Sequence, residues 1–224
     1  MIYATYTKSG IGAQIWGTYD DLRTFYEIIE KFWNITEFQH IGAFENRNEL
    51  IRTFSYEVRK SMNGQRLSRR GSWFSQGDSQ LYGFEISWVH LFFSLAALKE
   101  NWNFIPPNKL DLSFFYSLEH WLELALDEYD ISTAHKIKPY LQGSIYGENP
   151  YMYQFMCQLN ENFFSLGKGK QAFRKLPELL RASSYATVEF NELNDYIEEE
   201  AKRLDGKPNQ FKIPEIKEFY IAHA

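Results

Sequence analysis

The chain has 224 residues; 44% are hydrophobic, 18% aromatic and 24% charged, and 24 Lys+Arg against 29 Asp+Glu give a formal net charge of −5. With 19 Phe, 15 Tyr and 6 Trp beside only 13 Gly and 7 Pro, a collagen-like or disordered chain is excluded. The mild acidic excess argues against nucleic-acid binding over the whole surface but leaves room for a local basic patch.

The chain opens as a hairpin. Ile2 to Thr7 is β-branched and aromatic, Ser9-Gly10-Ile11-Gly12 supplies turn chemistry, and Ala13 to Gly17 resumes the strand pattern. Thr18-Tyr19-Asp20-Asp21 starts a helix whose apolar face is Leu22, Phe25, Ile28, Ile29, Phe32 and Trp33. After a loop around 37–44, Asn46 with Glu49 has the spacing of a capping box, and Leu50, Ile51, Phe54, Val58 and Met62 form the next stripe. Asn63-Gly64 is read as the stop of that helix, with Gly64 left-handed. The rival is a two-residue hairpin turn, because Phe54, Tyr56 and Val58 also alternate.

Tyr82, Phe84, Ile86 and Trp88 alternate with polar or small residues as a strand, with Gln65 to Arg69 as its expected partner across the polar stretch Ser75 to Ser79. From Val89 on the pattern is helical. A segment apolar on most sides runs to Trp102, Pro106-Pro107 breaks it, and Asp111 begins another helix on Leu112, Phe115, Leu118, Leu122 and Ala125. Ile131 to Leu141 is a shorter helix that Pro139 is expected to kink or cut short. Asn149-Pro150 reads as cap and first turn of a helix that Gly167 stops. Phe173 to Leu180 is interrupted by Pro177, and Thr187 to Leu204 is amphipathic with an acidic outer face. The tail ends in Phe219, Tyr220 and Ile221, which are expected to dock on the body.

These elements predict an α+β protein, a small N-terminal antiparallel sheet of about four strands packed on a predominantly α-helical body. Residues 1–110 hold 12 basic and 11 acidic side chains, whereas residues 111–224 hold 12 and 18. The proline pair thus marks a change in both structure and charge. We expect an α+β lobe over 1–105 and a helical lobe over 106–224 sharing one core, with independent domains as the alternative. The longest apolar run, Trp88 to Leu98, is shorter than the roughly 18 residues of a membrane span. Nothing in Met1 to Thr5 reads as a secretory signal, and the single Cys157 cannot form an intrachain disulfide, so a cytoplasmic protein away from the membrane is expected.

Candidate sites follow from charge and spacing. Arg59, Lys60, Arg66, Arg69 and Arg70 lie in a stretch with no acidic residue from Val58 through Gly77, and Trp73-Phe74 follows. Arginine forks with an aromatic suit a phosphate or a nucleic acid. The plainer reading pairs these arginines with the acidic helices and buries Trp73. Glu85, His90 and Ser94 could meet at the junction of sheet and helix, although no nucleophile elbow accompanies them. A core histidine is the plainer account.

Gly167-Lys168-Gly169-Lys170 lacks the strand and the Gly-Lys-Ser/Thr end of a phosphate loop, so helix stop and helix start explain it. Glu119, Glu123 and Asp127 with His120 lack metal-ligand spacing and read as a solvated face. Cys157 reads as a small buried hydrophobe. Glu189, Glu192, Asp195, Glu198, Glu199, Glu200 and Asp205 form an acidic face that could receive a basic partner or the basic loop of a second copy, with exposed solubilising charge as the simpler account. No catalytic residue, cofactor or metal is indicated. A non-catalytic interaction or regulatory module therefore leads, with a protein partner or self-association. A binder of nucleic acid or a phosphorylated ligand comes next, and an enzyme with a pocket near Glu85 and His90 third.

Two stretches, Tyr56-Glu57-Val58-Arg59-Lys60 running to Asn63-Gly64-Gln65-Arg66, and Tyr82-Gly83 leading to Ile86-Ser87-Trp88, resemble uncharacterised bacterial proteins grouped as a domain of unknown function. The resemblance implies a bacterial cytoplasmic protein and brings no activity, substrate or catalytic residue with it.

Overall fold

The computed structural model describes residues 2–33, 42–71 and 79–203. Strands β1 (Tyr3–Tyr6) and β2 (Gly12–Gly17) form the expected hairpin, and β3 (Leu67–Gly71) and β4 (Ser79–Ser87) complete an antiparallel sheet of order β1-β2-β4-β3. Side-chain alternation gives the sheet two different faces. Ile2, Ala4, Ala13, Ile15, Phe84 and Ile86 are buried on one. Tyr3, Trp16 and Leu81 are buried on the other, where Trp121 packs edge-on to Tyr3 with ring centroids 6.3 Å apart.

Helices α1 (Tyr19–Glu30) and α2 (Gly42–Met62) cover the first face. Thr18 and Asp21 form a reciprocal capping box that fixes the start of α1. Phe25, Phe54 and Phe84 then chain α1, α2 and β4 together at centroid separations of 5.9 and 6.0 Å. Segment 46–62 is thus helix. Gly64 at φ 70 lets the Gln65 N–H donate to Lys60 O and the Gly64 N–H to Ser61 O, the paired bonds that close a helix end with a left-handed glycine.

Asn46 departs from expectation. α2 begins four residues earlier, at Gly42, so Asn46 lies inside it and caps a different helix: its Oδ1 accepts from the Tyr153 N–H at 3.3 Å. That helix, α5 (Met152–Ser165), starts later than Asn149-Pro150 suggests, and its own N-cap residue Tyr151 offers no side-chain bond. Asn149 instead closes the preceding turn by accepting from the Tyr151 N–H at 2.8 Å. The cap comes from a distant residue, which local spacing does not disclose.

Ser87 ends β4 and caps α3 (Trp88–Asn101), so strand passes into helix with no loop. Leu91, Phe92, Phe93, Leu95, Ala97 and Leu98 are all buried, making α3 the central helix. α4 (Lys109–Leu141) begins at the Asn108/Asp111 capping box and breaks at Asp130 (φ −159, ψ 95). The cause of the break is Asp130 and not Pro139. Asp130 Oδ1 caps the second segment by accepting from the Thr133 N–H at 3.1 Å, and Oδ2 receives Arg174 Nε at 2.8 Å. The bonds from Arg174 and Thr133 hold this carboxyl below its usual range. Pro139 sits in the last turn, and the helix runs on to Leu141.

α6 (Lys170–Leu180) likewise runs through Pro177. A short 3-10 turn (Arg181–Ser183) leads to α7 (Val188–Arg203), where Thr187 Oγ1 accepts from the Phe190 N–H at 3.1 Å. The final tail residues Phe219, Tyr220 and Ile221 lie outside the described residues. One apolar cluster contains Ile2, Phe54, Phe92, Leu122, Phe155, Phe173 and Ile197, and so draws on both halves of the chain. No helix among the described residues is long and apolar enough to cross a membrane.

Candidate functional site: a basic tyrosine platform and an acidic cleft

The last turns of α2 build a cationic platform. Tyr56, Arg59 and Lys60 stand at i, i+3 and i+4, which places them on one helix face. The turn at Gly64 then brings Arg66 back beside them. The Arg59 and Arg66 guanidinium carbons lie 5.5 and 6.0 Å from the Tyr56 ring centroid, and Lys60 Nζ lies 5.2 Å from it. Tyr56 itself is 42% exposed. Arg66 is oriented by a two-pronged bond to Glu57, with Nε donating to Oε2 at 2.7 Å and Nη2 to Oε1 at 2.9 Å, and this bond pushes its guanidinium pKa up. Among the described residues Arg59, Lys60 and Arg70 form no ion pair.

The five predicted cations therefore separate. Arg59, Lys60 and Arg66 converge on Tyr56. Arg69 points to the opposite face of the sheet, where its guanidinium lies 4.4 Å from the Trp16 ring centroid and donates to the Tyr3 hydroxyl. Arg70 alternates back to the α2 side of β3 and is exposed. Trp73 lies outside the described residues. The acidic helices do not neutralise the platform. Two carboxylates of α7 pair locally, Glu189 with Arg181 at 3.0 Å and Glu200 with Arg203 at 2.6 Å.

Glu85, His90 and Ser94 do not form a constellation. Glu85 accepts from Gln14 Nε2 at 2.7 Å on the Trp16 face of the sheet, whereas His90 Nε2 sits 3.1 Å from Thr53 Oγ1 on α2, across the sheet. Ser94 is wholly buried, and its hydroxyl has no hydrogen-bond partner among the described residues. The stripe on α4 is taken up by neighbours: Lys99 pairs with Glu119, Gln142 with Glu123, and Lys138 with Asp127. Among the described residues no group of three or more His, Cys, Asp or Glu is placed to hold a metal. Gly167 and Gly169 stop α5 and start α6, and the Gly169 N–H donates to Ser9 O at 2.7 Å. Cys157 is buried.

A second site was not visible in the spacing. Residues 143–148 fold over Glu100 of α3 and, with Tyr185, enclose a cleft of about 280 Å³. Beneath it lies Arg47, only 2% exposed. Its Nε donates to Asn101 Oδ1 at 2.7 Å, its Nη1 donates to Gly147 O at 3.0 Å, and the Phe44 and Phe104 rings each lie 5.6 Å away. Burial lowers the Arg47 pKa, while the fields of Glu100 and Glu148 act against the shift. A side chain at Gly147 would meet Glu100 Oε2 at 2.7 Å and its Cβ at 2.9 Å, so the loop rests directly on that carboxylate.

A family model described as Domain of unknown function (DUF6904) matches residues 2–220. The chain belongs to this family. No curated protein and no solved structure matches the chain. For this DUF6904 chain the site must therefore be argued from its own geometry. The only sequence signal for the cleft was an arginine, Arg47, on the apolar side of a helix.

Proposed function

We propose that the protein is a non-catalytic interaction module of the cytoplasm that engages an anionic partner protein through the platform around Tyr56. The observation that carries this reading is the convergence of Arg59, Lys60 and Arg66 on one exposed ring, with Arg59, Lys60 and neighbouring Arg70 lacking carboxylate partners among the described residues. Unpaired cations held over an aromatic are prepared for phosphate or carboxylate groups. The separation of Glu85 from His90 and the sealed Ser94 favour binding over catalysis. The buried thiol of Cys157 is compatible with a reducing compartment. The shared apolar cluster supports reading lobes 1–105 and 106–224 as one folding unit.

The test is fluorescence anisotropy with a labelled phosphopeptide at roughly 50 and 200 mM salt. Binding should weaken as salt rises and should fall about two- to tenfold in an Arg59→Ala/Lys60→Ala variant. Affinity indifferent to both changes removes the platform from the interaction. Nucleic acid is the second reading, because Arg70 extends the positive surface. It is weaker because a base stacking on Tyr56 would compete with Arg59 and Lys60, which already lie near that ring. An oligonucleotide that outcompetes the phosphopeptide would reverse that order.

A further inference from the structure

The cleft over Arg47 has the opposite charge to the platform. Glu100 and Glu148 both line it, and neither forms an ion pair among the described residues. Glu100 accepts from Asn103 Nδ2 at 3.0 Å, and Glu148 accepts weakly from the Tyr146 hydroxyl at 3.4 Å. The buried Arg47 supplies one positive charge against two carboxylates, so the cleft keeps a net negative charge. Burial first, then Glu148 and Tyr185, pushes the Tyr146 phenol up, which agrees with a negative local field.

Two tyrosines line the cleft. The Tyr146 and Tyr185 rings lie 4.7 Å apart at 42°, and Phe190 backs both at 5.9 and 5.8 Å. Tyr185 nevertheless remains 67% exposed at the rim. The next residue, Ala186, has φ 63 and is the one non-glycine with positive φ among the described residues. Such a conformation is strained for a residue with a side chain and persists where the surroundings impose it. The imposing bonds are visible: the Ser184 hydroxyl donates to Ser144 O at 2.9 Å, and the Tyr146 N–H donates to Ser183 O at 2.9 Å. These bonds tie the 143–148 loop to the segment that carries Tyr185.

We propose that this cleft binds an organic cation bearing N–H donors, an alkylguanidinium or alkylammonium, between the Tyr146 and Tyr185 rings and the Glu100 and Glu148 carboxylates. Aromatic faces attract the cation, and carboxylates accept its hydrogen bonds. A hard metal ion would need more oxygen ligands than two carboxylates among rings provide. The volume of about 280 Å³ suits a side-chain-sized group and not a large cofactor. The cation can be a free small molecule or a side chain of a partner peptide.

The experiment is calorimetric titration of the full chain with N-acetyl-arginine amide, N-acetyl-lysine amide and the neutral N-acetyl-citrulline amide. At least one cationic probe should bind saturably and the citrulline probe should not. Glu148→Gln and Tyr185→Ala should each weaken binding about two- to thirtyfold with the thermal melt retained, because both positions are exposed. Tyr185→Phe keeps the ring and should keep the binding. A pentapeptide with arginine between glycines that binds more tightly than the amide assigns a partner's side chain; equal or weaker binding assigns a free small molecule. The proposal is overturned if no cationic probe saturates up to roughly 10 mM, if citrulline binds as well as arginine, or if neither variant weakens binding. None of these results involves Arg59 or Lys60, so the cleft and the platform stand or fall separately.

Discussion

The platform and the cleft pair the same chemical groups in opposite ways. On the platform, three cations and one carboxylate gather around a tyrosine; in the cleft, two carboxylates and one buried cation gather beside tyrosines. Their construction differs more. The platform is convex and comes from one helix face and the turn that follows it, with its Arg66 bond to Glu57 spanning nine residues. The cleft is concave and depends on Arg47, which reaches Asn101 and Gly147 across 54 and 100 residues. A surface built from local spacing tolerates loss of its parts, whereas one hung on a buried charge does not.

The sharpest way to break this comparison is Arg47→Met. It strands Asn101 Oδ1 and the Gly147 carbonyl in the interior and removes the cation facing Glu100 and Glu148, so it should cost about 3–5 kcal/mol in urea denaturation at neutral pH. The Arg59→Ala/Lys60→Ala variant, at an exposed surface, should stay within about 1 kcal/mol. Equal effects would mean that the two regions are not built differently.

The same contrast sets what the sequence disclosed. The sheet, the helix over 46–62 and the left-handed stop at Gly64 follow from alternation, periodicity and one glycine, all local signals. Arg59, Lys60 and Arg66 were recognisable as a cluster for that reason. The split of Arg69 from the others needs strand register, which depends on pairing with β4. The cleft needs more still, since α2, α3, residues 143–148 and Tyr185 meet only through tertiary packing. Asn46 shows the limit most clearly. Its spacing to Glu49 indicated a cap for its own helix, yet its oxygen serves α5, more than a hundred residues away. Pro139 and Pro177 misled in the other direction, because α4 and α6 run past them, each proline lying within three residues of its helix's end.

A smaller effect should separate the regions by pH. In the cleft the Tyr146 phenol is held neutral, chiefly by burial and then by Glu148. Its folded pKa exceeds the unfolded value of about 10. Its contribution to stability is therefore complete below that pH and is lost as pH rises through the folded pKa. The phenolate absorbance lost on Tyr146→Phe should accordingly appear late in an alkaline titration of the wild type. Glu148→Gln removes one cause of the shift and should bring it earlier. An unmoved titration would show that the Glu148 field does not reach the ring.

The smallest expected change in stability belongs to Glu57→Gln, yet it bears most directly on what the platform does. The Arg66–Glu57 pair is partly exposed, with side chains 35% and 23% accessible, so its loss should cost about 0.2–1 kcal/mol. The carboxylate also neutralises one of the three cations around Tyr56. Removing it adds a positive charge that a bound anion can use. Phosphopeptide affinity should therefore rise as stability falls, and its salt dependence should steepen, because an added charge adds a screened attraction. If affinity falls instead, Glu57 is needed to aim Arg66 at the ligand, and the platform works through one fixed guanidinium fork and not through summed charge.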